Sequence, residues 1–219
     1  IQDLMKGDLQ IVDNPFPKVR DNYVLIKSEM SLISFGTEKM LLDFGKANML
    51  SKAKQQPEKV KQVMDKIKTD GFASTFSSVK RKLNDPLPLG YSNVGKVIEI
   101  GKGVENISVG DNVLSNGPHA EIVNVPSNLV SRIPNSVTSE DAVFGVIGAI
   151  ALQSVRLVNP TIGETICVIG IGLVGNILTQ ILLANGCNVI AIDNNSEKLT
   201  VLKNKNVKKI NNLSLIHIS

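Results

Sequence analysis

Cysteine and histidine are scarce in this 219-residue chain, two of each, and no apolar run is long. Cys167 and Cys187 lie in strongly apolar stretches, where a reduced thiol behaves as a small hydrophobe, so a disulfide framework is excluded. The longest apolar run, Ala142 to Leu152, falls short of the ~18 residues that a membrane-spanning helix needs. No basic-then-apolar leader opens the sequence, and the expectation is a soluble, cytoplasmic protein with no membrane partner. His119 and His217 have no neighbour at metal-ligand spacing; His119 reads as a turn or surface residue rather than a base, and His217 is given no role. What is present, 42% hydrophobic and 20% charged residues, is ordinary for a globular chain with one sizeable core or two modest ones.

The net charge of +4 is local. Between Asp43 and Pro86 ten Lys or Arg face five Asp or Glu, leaving fourteen against fifteen elsewhere. Lys52, Lys54, Lys59, Lys61, Lys66 and Lys68, interleaved with Gln and Glu, read as the wet face of helices, against a phosphate-binding alternative. No aromatic interleaving accompanies them, so no nucleic-acid partner is expected.

Short β-like runs open the chain, Leu9 to Val12 and Val24 to Ser28, separated by Asp13-Asn14-Pro15 and Asp21-Asn22. From about residue 41 to 86 the spacing turns helical, with Val60, Val63, Met64 and Ile67 as one stripe, and reads as a packing insertion. Strands return at Val94 to Gly101, Asn112 to Leu114, Ala120 to Val125 and Val130 to Ile133, at the spacing of a small β-barrel or sandwich. Ser139-Glu140-Asp141 then begins a helix expected to run to about Leu157, where Asn159-Pro160 stops it.

Thr165 to Ile169 is a β-branched run of the kind buried on both faces of a parallel sheet. Gly170-Ile171-Gly172-Leu173-Val174-Gly175 follows, opening an apolar helix; Asn188 to Ile192 repeats the strand pattern and ends at Asp193, 21 positions after Gly172. Strand, glycine turn, helix, strand and acid together describe a βαβ dinucleotide unit. Gly170 permits the turn, Gly172 lets phosphate approach backbone, and Gly175 lets helix and strand close up. The helix N-terminus suits the pyrophosphate. Asp193 would accept from the ribose hydroxyls and repel a 2′-phosphate, which favours NAD over NADP.

These motifs, with Gly36-Thr37-Glu38, Gly90-Tyr91-Ser92-Asn93-Val94-Gly95 and Val109-Gly110-Asp111-Asn112-Val113, resemble the medium-chain dehydrogenase/reductases, the zinc alcohol dehydrogenase superfamily. Ser31 to Glu38, the Lys-rich insert through Gln55-Gln56-Pro57-Glu58-Lys59-Val60, and Pro88-Leu89-Gly90-Tyr91-Ser92 are similar to the bi-domain oxidoreductases. The resemblance implies an α/β plus β chain: a GroES-like β-barrel catalytic domain over residues 1–138, with its helical insertion at about 41–86, then a linking helix and truncated Rossmann dinucleotide-binding domain over 139–212. It also implies a small-molecule substrate, a homo-oligomer, a role in cell-surface sugar metabolism and, in the full-length chain, a C-terminal Gfo/Idh/MocA-type domain.

By the same resemblance Thr37 touches the reacting oxygen and relays its proton, and Lys198 is a second ribose contact or a solvated helix lysine. The positions of the three catalytic zinc ligands hold Phe35, Tyr91 and Val143, and the Cys-rich lobe for a structural zinc is absent, so no metal is expected. Tyr91 could instead donate to a substrate carbonyl, or simply pack against the barrel. After Asp193 one helix is expected, Glu197 to about Lys205, and residues 213–219 read as a non-native tail, so the chain reads as a fragment that is itself inactive. Two functions stand: an NAD(H)-dependent, zinc-independent oxidoreductase, or a non-catalytic dinucleotide-binding module.

Overall fold

The computed structural model describes residues 1–2, 8–46 and 86–211, with residues 54, 57, 58, 60, 61, 65 and 69 between them. The chain divides into two compact units, Ile1–Arg132 and Ile133–Ser219; the sequence places the change at 138.

The first unit is built on an antiparallel sheet. Its strands are β1 (Tyr23–Ser31), β2 (Asn93–Ile100), β3 (Asn112–Ser115), β4 (Ile122–Pro126) and β5 (Val130–Arg132), in the order β4-β1-β2-β3-β5. β1 lies inside the sheet, between β4 and β2, with Val24, Leu25 and Ile26 all fully buried. Val24 and Ile26 lie opposite Val125 and Val123 of β4 and join Val97, Ile107 and Val113 in one core. Each such side chain contributes ~1.5–3 kcal/mol on burial. Closure of the sheet into a barrel is not among the described pairings, in which β4 and β5 are the edges.

Helix α1 (Phe35–Lys46) follows β1 directly and contains the start of the expected insertion. The described residues beyond it, Lys54, Pro57, Glu58, Val60, Lys61, Asp65 and Thr69, are helical; the rest of the insertion, including Val63, Met64 and Ile67, lies outside the described residues. The expected strand at Leu9 to Val12 does not form. Only Leu9 makes a bridge, to Gln2; residues 9 to 12 are exposed, so no apolar burial draws them onto the sheet.

The second unit holds a parallel sheet, β6 (Thr165–Ile169), β7 (Asn188–Asp193) and β8 (Val207–Asn211), in that order. Four helices accompany it among the described residues: α2 (Ser139–Ala142), α3 (Gly145–Val158), α4 (Leu173–Ala184) and α5 (Ser196–Val201). Thr138 caps α2 by accepting from the Asp141 N–H. The single helix expected from Ser139 to Leu157 is broken at Val143 and Phe144, because the Phe144 N–H donates to the Asp141 carbonyl, a tight i−3 turn. It ends as the Asn159-Pro160 signal requires, with Asn159 left-handed at φ 50°. Val168, Ile171, Leu182, Val189, Ala191 and Leu199 form the core.

Three expectations need correction here. β8 was not anticipated, because Lys208 and Lys209 interrupt its apolar pattern; it forms on the free side of β7, with Val189 opposite Val207 and Asp193 opposite Asn211. α5 is correspondingly short and stops at Val201 rather than about Lys205. β6 is not buried on both faces: Cys167 is exposed and Ile169 is 80% exposed on one face, while Val168 on the other is buried in the core. Of the two free thiols only Cys187 is buried. Residues 213–219 lie outside the described residues. Among the described residues no helix is long and apolar enough to cross a membrane.

Candidate functional site

The first unit brings Thr37 and Tyr91 together. Thr37 lies in the first turn of α1, and Tyr91 two residues before β2; the Leu32 N–H donates to the Ser92 carbonyl at 2.9 Å, which extends the pairing of β1 and β2 to this end of the sheet. Thr37 Oγ1 and Tyr91 Oη stand 3.5 Å apart on the surface, at the outer limit of a hydrogen bond. Two hydroxyls 54 residues apart in sequence can therefore face one small polar group.

Beside this pair lies a cluster that the sequence did not disclose. Glu38 is 7% exposed. Its Oε1 accepts from the Ser34 N–H at 2.8 Å, and its Oε2 is 3.2 Å from His119 Nε2. His119 Nδ1 is 2.8 Å from Ser31 Oγ. His119 lies in a bend before β4, as expected of a turn residue, but the surface reading is corrected: it is half-buried and held at both ring nitrogens. Its place in a Pro-His-Ala turn suggested solvent, and nothing in a linear pattern joins position 119 to 38. Phe35, one of the three zinc-ligand positions, is 75% exposed, and among the described residues no group of three or more His, Cys, Asp or Glu could hold a metal.

In the second unit the glycine turn joins β6 to α4 as the sequence predicts. Gly170 has φ +90°, a region that L side chains rarely adopt. A Cβ on Gly175 would press into the Gly170 carbonyl oxygen, so these two glycines are required by the turn itself. Gly172 differs. It is the extended N-cap of α4, at φ −77°, and a Cβ there would meet no atom within 4 Å. Nothing inside the described chain demands glycine at this position, whereas the approach of a phosphate to the backbone does. No side chain caps α4 and its first turn carries no acid, so its N-terminal N–H groups and dipole are available to an anion.

Asp193 ends β7 and is 6% exposed. Its Oδ1 accepts from the Asn195 N–H at 2.8 Å and its Oδ2 from the Ile171 N–H at 2.7 Å. The Asn195 bond, then the Ile171 bond and the Lys198 charge hold its carboxyl below the usual range against the opposing cost of burial. Because the folded value is lowered, the stability it contributes is present above the ordinary carboxylate range and is lost only as pH falls through that lowered value. Asp193 thus ties the glycine turn to β7, a role the sequence did not assign, and its remaining lone pairs can still accept. Lys198 Nζ lies 3.9 Å from Asp193 Oδ2 on α5. An open cavity of about 1020 Å³ adjoins Gly172, Leu173, Asn176, Phe144, Gly148 and Lys198. The turn beside it fits a dinucleotide: Gly172, where a Cβ would meet no atom within 4 Å, the α4 N-terminus without a side-chain cap, and Asp193 at the end of β7, outside the cavity lining but bonded to the Ile171 N–H of the turn.

No family model matches the chain. It is 29% identical over 157 residues to an alcohol dehydrogenase of Geobacillus stearothermophilus, which covers 57% of this chain and 46% of that protein. It is 32% identical over 105 residues to the D-guloside 3-dehydrogenase of Escherichia coli, covering 47% of this chain and 30% of that one. A solved mycobacterial quinone oxidoreductase superposes with a TM-score of 0.66 at 27% identity, over 93% of this chain and 54% of that chain. A further mycobacterial structure of 28% identity, solved with NADPH, covers 87% and 50% with a TM-score of 0.61. The chain spans about half the length of the curated relatives it matches. Its relatives are medium-chain dehydrogenase/reductases of the alcohol dehydrogenase and quinone oxidoreductase type, a fold of one catalytic and one Rossmann-like domain.

Proposed function

We propose that the intact protein is an NAD(H)-dependent, zinc-independent oxidoreductase that moves hydride between nicotinamide and a carbonyl or alcohol carbon. The observation that carries this reading is the meeting of Thr37 and Tyr91 at 3.5 Å in a chain that also holds the dinucleotide turn. A bound nicotinamide cofactor would supply the hydride chemistry. Gly172 and the α4 N-terminus bind its phosphates, and Ile171, Leu173, Val174 and Asp193 line the turn and the ribose position, with Lys198 beside them. Thr37 Oγ1 and Tyr91 Oη hold the substrate oxygen, lend it a hydrogen bond as charge develops there, and deliver or take its proton. On this reading the first unit is a GroES-like barrel, the fragment alone is inactive, and the protein acts in the cytoplasm as a homo-oligomer. The D-guloside 3-dehydrogenase match and the bi-domain resemblance support a sugar substrate and a Gfo/Idh/MocA-type domain in the intact protein.

Isothermal titration of the full-length protein tests the cofactor. NADH is expected to bind at least about tenfold more tightly than NADPH, because a 2′-phosphate would meet the Asp193 carboxylate. Asp193→Asn removes the charge and is expected to narrow the preference for NADH, with some loss of affinity for both nucleotides because its amide accepts from only one of the two N–H groups that the carboxylate holds. Binding of neither nucleotide below millimolar concentration overturns the reading.

The absence of zinc follows from side-chain chemistry. Phe35 and Val143 have no lone pair to offer, and a catalytic zinc needs three protein ligands. Protein purified without added metal is expected to contain no stoichiometric zinc, and chelators to leave its melting temperature unchanged. About one zinc per chain by elemental analysis would refute this.

A further inference from the structure

We propose that Glu38 and His119 form a positioning clamp that sets the spacing of Thr37 and Tyr91; its catalytic consequence rests on the oxidoreductase reading. Each half of the hydroxyl pair is tied to one side of the clamp. Thr37 precedes Glu38, whose two carboxylate oxygens hold the Ser34 N–H at the start of α1 and the His119 ring. Tyr91 follows Gly90, on which the His119 ring lies: a Cβ on Gly90 would come within 2.7 Å of the ring carbons. The His119 N–H donates to the Leu89 carbonyl at 2.7 Å, so the imidazole is fixed to the Tyr91 segment by backbone as well as by ring packing. Ser31 Oγ, 2.8 Å from Nδ1, anchors the other ring nitrogen to the end of β1.

The physical reason for such a clamp lies in what each hydroxyl lacks. Thr37 and Tyr91 are at the surface, and their contact at 3.5 Å is too long to lock either against solvent. Glu38 is buried and His119 half-buried, so their bonds are less exposed to competing water. The buried carboxylate and half-buried imidazole therefore fix the two backbones, and the exposed hydroxyls inherit their separation.

The chain has no tryptophan and only two tyrosines, Tyr23 and Tyr91, which gives a direct readout. With carbon-13-labelled tyrosine rings, the full-length protein shows two sets of ring signals from this region, assigned by Tyr23→Phe and Tyr91→Phe. Tyr23, on the far end of β1 with Arg20 5.6 Å from its ring centroid, is the internal reference. In His119→Leu the Tyr91 signal is expected to shift or broaden while that of Tyr23 stays. In Glu38→Gln it is expected to stay near the parent position, because the amide can serve both Ser34 and His119. Should His119→Leu not fold, Ser31→Ala, which removes one of the two ring partners, is read the same way. A Tyr91 signal unmoved in the folded variant overturns the proposal. The measurement needs no cofactor or substrate, so its failure leaves the oxidoreductase reading standing, and a failed NADH titration leaves the clamp standing. Where turnover is measured, His119→Leu is expected to lower kcat roughly 10- to 100-fold, the cost of a small misplacement, with the Kd for NADH unchanged.

Discussion

A Gly172→Val protein is expected to keep its fold and lose its cofactor. The position is extended and a Cβ meets nothing within 4 Å, so only the loss of a favourable N-cap residue weighs on stability, about 1 kcal/mol. The same two methyl groups stand where phosphate must approach the backbone, and NADH affinity is expected to fall at least about 100-fold, about 2.8 kcal/mol. Gly175→Ala provides the contrast. Its added methyl would collide with the Gly170 carbonyl, a backbone atom that cannot swing aside, and a lowered melting temperature is expected, at a cost of about 1–3 kcal/mol. Calorimetric titration beside thermal melting separates the two. Undiminished NADH binding by a folded Gly172→Val protein contradicts the assignment of this turn to phosphate.

The double variant Thr37→Val/Tyr91→Phe is expected to bind NADH as the parent does and to lose turnover by roughly 10²- to 10³-fold, the range for removing a donor aimed at developing charge. Both substitutions preserve shape, and both hydroxyls are at the surface, so stability should change little. Turnover is assayed on alcohols, quinones and D-gulosides, the classes that the relatives' names carry. If the full-length parent binds NADH yet turns over none of a broader panel of sugars, alcohols and quinones, the non-catalytic module becomes the better description. Turnover that survives the double variant would instead remove Thr37 and Tyr91 from the chemistry.

Asp193 shows how one residue can serve two ends. Its carboxylate stabilises the glycine turn through the Ile171 and Asn195 N–H groups, and under the proposed function it also accepts from the ribose.

What the sequence by itself determined is the local grammar: β-branched runs for β1, β2, β6 and β7, Asn159 before Pro160 to end α3, and a glycine turn whose spacing to Asp193 marks the dinucleotide unit. These are decided within a few residues by backbone sterics and burial, so a linear pattern carries them. The tertiary structure decided the rest. β8 exists because β7 offers an unpaired edge, not because Val207 to Asn211 reads as a strand. Exposure at Cys167 and Ile169 but not at Val168 follows from which face of β6 is packed against the core, which no residue in β6 encodes. Glu38 and His119, 81 positions apart, meet only because α1 and the turn before β4 converge at one end of the antiparallel sheet. Contact between distant side chains depends on the path of the backbone between them, and that path is fixed by the whole core rather than by any segment of it.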